Sequence, residues 1–406
     1  MNPPPTRPEA AFSPPPYPYD RLTALAEVAA AHHGGMVDLS VGTPCDPPPP
    51  AVVDALGRSG AERGYPASAG NARLKDAVIG WLARRFGVAV GAEQIAACVG
   101  TKEFVASTAW FLRLRTPARD TVLAPAVAYP TYALGAELAG CRTVLVPTTP
   151  DGAMDFEGLS REDAARAVVL WVNSPANPTG AVSDLEAAAA FGRAHGIPVV
   201  SDECYAEFSW SRWPPTTVLG AGTEGVLALH SLSKRSNLAG LRVGCYVGDA
   251  TLVGYLSEVR KHAGLMVAGP VQAAAAVAWD DDEHVERQRS RYRGRLERLA
   301  AVLRDAGLDA AMPDGGFYLW VPAPAATEVA DDPNGAWALA RALAEAAGVL
   351  VSPGDFFGSG GVDHVRIAVV QPDDRLELVA RRLSETSHPM LTAGAHRRPG
   401  PAAGHR

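Results

Sequence analysis

The sequence predicts an α/β fold, with a large domain built on a mostly parallel central sheet covered by helices and a smaller α+β domain after it. Three observations predict this. Short apolar runs recur through the first two-thirds of the chain, each bounded by turn residues and separated by helix-like segments. Runs that are apolar throughout, rather than alternating, suit strands buried on both faces, and helical crossovers make such strands parallel. The pattern changes after Asp280, and the 406 residues exceed the size at which one hydrophobic core stops growing.

The elements follow in order. Residues 73–86 form an amphipathic helix, with Leu74, Val78, Trp81, Leu82 and Phe86 at three- and four-residue steps. Residues 95–99, 121–124, 168–172, 197–200, 226–229 and 243–247 read as buried strands. A helix over 184–195 follows the turn Pro178-Thr179-Gly180. The charged segment 283–305 is an extended helix whose buried stripe is Val285, Tyr292, Leu296, Leu299 and Leu303. Strands at 317–321, 349–352 and 365–370 and helices at 337–347 and 375–383 complete the smaller unit. The expected organisation is an N-terminal arm over 1–36, partly disordered and packing on the small domain, then a large domain over 37–280 and a small domain over 281–385. A disordered tail is expected over 386–406, where His388, His396 and His405 are too irregularly spaced for a metal site.

Composition narrows the function. The apolar fraction of 47% is ample for packed cores, and a net charge of −7 gives no long-range attraction for nucleic acid. No uncharged apolar run approaches the ~18 residues of a transmembrane helix. The proline-rich start lacks the basic and apolar segments of a signal peptide. Cys45, Cys98, Cys141, Cys204 and Cys245 are dispersed without any CxxC pair, which argues for reduced thiols in a cytoplasm and against zinc. Only Lys75, Lys102, Lys234 and Lys261 among the 37 basic residues are lysines. A lysine retained against such an arginine bias is a candidate for amine chemistry, since arginine cannot lose its proton and attack a carbonyl.

Polar groups cluster where the strands end. Asn173-Ser-Pro-Ala-Asn177-Pro-Thr-Gly180 ends one strand, and Ser201-Asp202-Glu203-Cys204-Tyr205 ends the next. Ser231-Leu232-Ser233-Lys234 ends a third, and Arg242 opens the strand after it. Ligands of such sheets sit beyond the carboxyl ends of the strands. Taken singly, these segments read as a proline turn, a helix cap and an exposed loop lysine. Their succession at consecutive strand ends points instead to one site.

In that order the motifs resemble the class I/II aminotransferases, pyridoxal-phosphate enzymes of fold type I, from about Val37 to Leu383. The resemblance implies Lys234 as the Schiff-base lysine and proton shuttle, and Asp202 as the partner of the pyridine nitrogen. Asn177 and Tyr205 are implied as donors to the ring's phenolate oxygen, with a cis Asn177–Pro178 bond. Gly100, Thr101, Lys102, Ser231, Ser233 and Arg242 are implied around the phosphate, where free N–H groups of a helix start favour an anion. Tyr129 matches a ring-stacking aromatic, and Tyr65 a tyrosine that reaches the phosphate from the other subunit of a homodimer with shared active sites. Gly42 matches a segment over the substrate, and Arg366 in His364-Val-Arg-Ile-Ala368 matches the arginine that grips the α-carboxylate.

Within that family the segments 37–44, 64–70, 230–240, 259–266 and 354–358 most resemble the N-succinyldiaminopimelate aminotransferases of actinobacteria. This implies amino transfer between glutamate and N-succinyl-2-amino-6-oxopimelate, in lysine and diaminopimelate biosynthesis. Arg260 and Lys261 are the cations expected at a distal substrate carboxylate. Their alternative is to complement a helix C-terminus, worth ~0.3–1 kcal/mol. Other donor specificities (aspartate, aromatic or methionine) and a C–S or α,β-lyase remain alternatives on the same scaffold. A transcription regulator's ligand-sensing domain is disfavoured, because about 36 proline-rich residues precede the match where a DNA-binding domain needs ~60 basic ones.

Overall fold

The computed structural model describes residues 12–149, 154–211, 214–324, 335–386 and 388–392. The expectations for residues 1–11 and 393–406, including His396 and His405, lie outside the described residues.

The first strand, β1 (Val37–Asp38), precedes the large sheet. That sheet comprises β2 (Ile95–Cys98), β3 (Thr121–Pro125), β4 (Arg142–Val146), β5 (Ala167–Asn173), β6 (Val199–Asp202), β7 (Val226–Ser231) and β8 (Gly244–Gly248), in the order β2-β8-β7-β6-β5-β3-β4. Only β8 runs against its neighbours. Its reversal brings its first residues to the edge where the parallel strands end, which is how Arg242 joins residues that terminate strands.

Strands β2, β3, β5, β6, β7 and β8 are buried at every position, as continuous apolar runs require. Strand β4 has no such run. It is an edge strand of sequence Arg-Thr-Val-Leu-Val with exposed positions, so its apolar signal is diluted and the sequence reading missed it. Helices cover both faces. Ala72–Phe86 buries Leu74, Ala77, Val78, Trp81 and Leu82; the Asn71 side chain caps its start, and Gly87 at φ 69° closes it. Leu185–His195 starts on the Asp184 side chain and stops at left-handed Gly196.

A second layer contains β9 (Tyr318–Pro322), β10 (Val349–Leu350), β11 (Ser352–Pro353) and β12 (His364–Ala368). The sheet order is β11-β12-β9, antiparallel throughout, while β10 pairs with β1. The single strand expected at 349–352 is therefore two, because the chain changes partner at Val351. Glu283–Asp305 is a helix over the whole expected span. Its Tyr292, Leu296, Leu299 and Leu303 share one core with Leu22, Leu25 and Ala29 from the N-terminal segment. The tail expectation needs correction at its start. Pro389–Thr392 forms a helical turn with Leu391 fully buried as a member of that core.

Candidate active site

The carboxyl edge of the large sheet opens into a cavity of about 250 Å³ that is roofed by the second layer. Asn173 ends β5, Asp202 ends β6 and Ser231 ends β7, so three adjacent parallel strands each deliver a polar side chain to it. Lys234 stands one helical turn beyond Ser231, whose hydroxyl accepts from the Ser233 N–H at 3.1 Å. The Lys234 amine donates to the Gly42 carbonyl. Burial, with the cations Arg366 and Arg242 nearby, brings its pKa down to about 8, against the opposing pull of Cys204 and Asp202.

Asp202 is enclosed. Tyr132 donates its hydroxyl to Oδ2 at 3.0 Å, and the Cys204 N–H donates to Oδ1 at 3.3 Å. Burial raises its pKa against these hydrogen bonds and against the Lys234 charge. The Asn173 amide donates to the Asp202 carbonyl at 2.8 Å, and its Oδ1 accepts from the Asn177 N–H at 2.7 Å, tying two strand ends together. The Asn177–Pro178 and Ser174–Pro175 bonds are both cis.

Arg366 is 2% exposed, so its orientation is set by its contacts. Nη1 donates to Asn177 Oδ1 at 2.8 Å, and Nη2 donates to the Tyr19 hydroxyl at 2.9 Å and to the Ser40 carbonyl. Tyr318 lies with its ring 4.3 Å from the guanidinium carbon, a cation–π contact. Its hydroxyl meets that of Tyr205 at 2.9 Å, and burial pushes the pKa of both phenols up.

At the other end, Gly100 precedes the helix Thr101–Arg115. Its φ of +76° suits glycine, and a Cβ there would lie 2.4 Å from Arg242 Nη2. Arg242 itself holds a left-handed backbone at φ 53°, which costs a non-glycine residue ~1–2 kcal/mol. Thr101, Lys102, Ser231, Ser233 and Arg242 all line this end, which joins helix-start N–H groups, hydroxyls and a guanidinium. A phosphate fits that set. An amine and a carboxylate further in suit a pyridine aldehyde.

Tyr129 lines the cavity, with its ring 5.9 Å from that of Tyr132. Gly42 also lines it, and a Cβ on Gly42 would meet the Tyr318 hydroxyl at 2.0 Å. Gly42→Ala is therefore expected to displace Tyr318, lowering stability by ~1–3 kcal/mol through overpacking. It should also lower kcat/KM at least ~tenfold, about 1.4 kcal/mol of barrier. Thermal melts and steady-state kinetics on the one variant check both parts.

Three expected residues lie elsewhere. Arg260 is 2% exposed and makes a fork on Glu103 at 2.8 and 2.5 Å, so it does not reach the substrate cavity. The expectation that Arg260 binds substrate is corrected: an enclosed guanidinium is held by the carboxylate it already faces. Lys261 is half-exposed beside Glu258 at 3.6 Å, outside the cavity of its own chain. Tyr65 is 98% exposed and also outside it.

Tyr17, Tyr19 and Tyr318 line the cavity and were not found from sequence. Tyr318 is placed by the pairing of β9 with β12, which sets Trp320 opposite Arg366, and its own segment carries no local signal for this. Tyr17 and Tyr19 had none, since their segment reads only as proline-rich.

A family model described as "Aminotransferase class I and II" matches residues 34–383. The chain belongs to that family. Its cofactor is accordingly pyridoxal 5'-phosphate. This aminotransferase is 41% identical over 388 residues to the Mycobacterium tuberculosis protein named "Probable aminotransferase Rv1178", covering 94% of this chain and 88% of that one. It is also 41% identical over 378 residues to "4-dedimethylamino-4-oxo-anhydrotetracycline transaminase OxyQ" of Streptomyces rimosus, covering 91% and 99%. Among solved structures, the "probable N-succinyldiaminopimelate aminotransferase" of Thermus thermophilus superposes with a TM-score of 0.79 at 31% identity, covering 91% of this chain and 100% of that one.

Proposed function

We propose that this aminotransferase moves an amino group between glutamate and N-succinyl-2-amino-6-oxopimelate, forming N-succinyl-LL-2,6-diaminopimelate and 2-oxoglutarate. The observation that carries the transfer chemistry is one cavity holding the Lys234 amine, the enclosed Asp202 carboxylate and the enclosed Arg366 guanidinium. Bound there, pyridoxal 5'-phosphate supplies an aldehyde for amines and a ring that accepts the electron pair of a substrate carbanion.

This chain's residues divide the remaining work. Arg366 holds the substrate α-carboxylate through charge-assisted bonds, which fixes the Cα–H bond near Lys234. Lys234, whose pKa burial brings down to about 8, is an amine near operating pH that would move the substrate Cα proton. Asp202 would face the ring nitrogen and keep it protonated. Asn177 has its oxygen engaged by Arg366, which leaves its amide N–H₂ for the ring oxygen, and Tyr205 donates there as well. Gly100, Thr101, Ser231, Ser233 and Arg242 would hold the phosphate, with Lys102 contributing its backbone N–H, and Tyr129 would pack on the ring. Tyr65, being exposed, joins the phosphate of a second subunit in a homodimer.

Likeness to the Thermus protein supports the succinylated substrate, and Lys102 is exposed at the cavity mouth with its amine 5.3 Å from the Tyr17 ring. With Arg260 withdrawn, Lys102 is the cation of this chain available to a distal carboxylate. A second reading is favoured by the five tyrosines lining the cavity, Tyr17, Tyr19, Tyr129, Tyr205 and Tyr318. They suit a flat ring ketone such as the one in the Streptomyces relative's name.

Single-turnover conversion of the pyridoxamine form by each acceptor separates the two readings. The succinylated oxopimelate is expected to react with the highest kcat/KM, and Lys102→Ala to raise its KM while sparing acceptors without a distal carboxylate. A polycyclic ketone preferred tenfold would establish the second reading, and pyruvate plus ammonia without any acceptor would mark a lyase.

A further inference from the structure

Arg260 has no part in the transfer just described, yet its surroundings are built. It lies in the last turn of the helix Ala250–His262. Its guanidinium lies 5.3 and 5.8 Å from the ring centroids of Phe104 and Tyr246, beside the pair that these rings form by stacking at 4.5 Å. The Tyr246 hydroxyl meets Ser257 of Arg260's own helix at 3.0 Å, and the Ser107 hydroxyl donates to Glu103 Oε1 at 3.0 Å. Through the fork on Glu103, Arg260 joins its helix and β8 to the first turn of Thr101–Arg115. That helix start faces the phosphate end of the cavity.

The charge of Glu103 gives this contact a consequence. A carboxylate in the first turn stabilises a helix, but it competes with any second anion at the same N-terminus and repels it. The pair is largely shielded from water, so salt screens that repulsion poorly. Arg260 cancels the charge.

We propose that Arg260 is a positioning residue for the cofactor, which neutralises Glu103 and holds the first turn so that the cup accepts a phosphate dianion. The inference rests on placing the phosphate at Thr101, Ser231 and Arg242.

Titrating the apoprotein with pyridoxal phosphate and with pyridoxal, which lacks the phosphate, tests it by absorbance. Arg260→Met is expected to weaken pyridoxal phosphate about tenfold or more and leave pyridoxal unchanged, since only the phosphate feels the uncovered charge. Arg260→Lys keeps the charge and should retain most of the affinity even if the methionine variant folds poorly. Glu103→Gln should bind pyridoxal phosphate at least as tightly as the parent, and the double variant Arg260→Met, Glu103→Gln should recover most of the loss. A purely packing role would instead weaken all of these variants alike, for pyridoxal as well, and that result would overturn the proposal. Arg242→Ala separates the two layers of the argument. A phosphate-selective loss there with none in Arg260→Met defeats the role of Arg260 alone, whereas no selective loss in Arg242→Ala defeats the cup and the proposal with it.

Discussion

Lys234→Met is expected to abolish transamination, with a fall of at least about a thousandfold, or ~4 kcal/mol of barrier. The substitution removes the one amine that lines the cavity deep enough to face Asp202 and Arg366, since Lys102 lies at the mouth. The borohydride-sensitive absorbance of the bound cofactor should disappear with it, and activity near the parent's would refute the assignment. The same variant carries a stability prediction of opposite sign. The Lys234 pKa falls from 10.5 to about 8 on folding, chiefly through burial. Below pH 8 the amine is protonated in both states, and the full penalty of burying its charge is present, about 3 kcal/mol at 1.36 per pKa unit. Between about pH 8 and 10.5 the unfolded chain binds the extra proton, so the parent apoprotein gains stability as pH rises. Lys234→Met has no such penalty. The apo variant should melt higher than the parent at pH 7, with the gap closing towards pH 10.5. A gap that is absent at pH 7, or that widens with pH, would show that the amine is not desolvated as described.

Asp202→Asn is expected to have the second largest effect. The carboxylate is enclosed, with its pKa raised by burial and its position fixed by Tyr132 and the Cys204 N–H. Asparagine keeps the shape and an oxygen for Tyr132 but cannot balance a positive ring nitrogen. Loss of that proton removes the site's capacity to take up carbanion charge, and kcat should fall about a thousandfold, ~4 kcal/mol. Cofactor binding should survive, because the phosphate contacts are untouched. Single-turnover measurements with glutamate isolate the chemical step, and a few-fold effect would mean that Asp202 does not hold the ring proton.

How much of this could be read beforehand follows from what each residue depends on. The buried strands and the amphipathic helices were evident because their signals are local: continuous apolar runs and three- and four-residue steps. Edge strand β4 failed that test, because a half-exposed strand lacks the run. Asn177, Asp202, Ser231 and Lys234 could be grouped because successive strand ends in a parallel sheet share one edge, so their order along the chain already fixes their neighbourhood.

Other placements needed the folded chain. Arg260 and Lys261 are adjacent in sequence, yet one is enclosed and the other half-exposed. The reason is Glu103, 157 residues away, which is brought beside the helix end and takes the guanidinium before any substrate could. Tyr19 reaches Arg366 across 347 residues, because the N-terminal segment packs into the core of the second layer. Sequence by itself determined the sheet, the family and the reactive ends of the strands, because those rest on short-range pattern and strand order. That Tyr17, Tyr19 and Tyr318 complete the cavity while Arg260 stays out of it was decided by tertiary packing, because each side chain settles against the nearest complementary group, however distant in the chain.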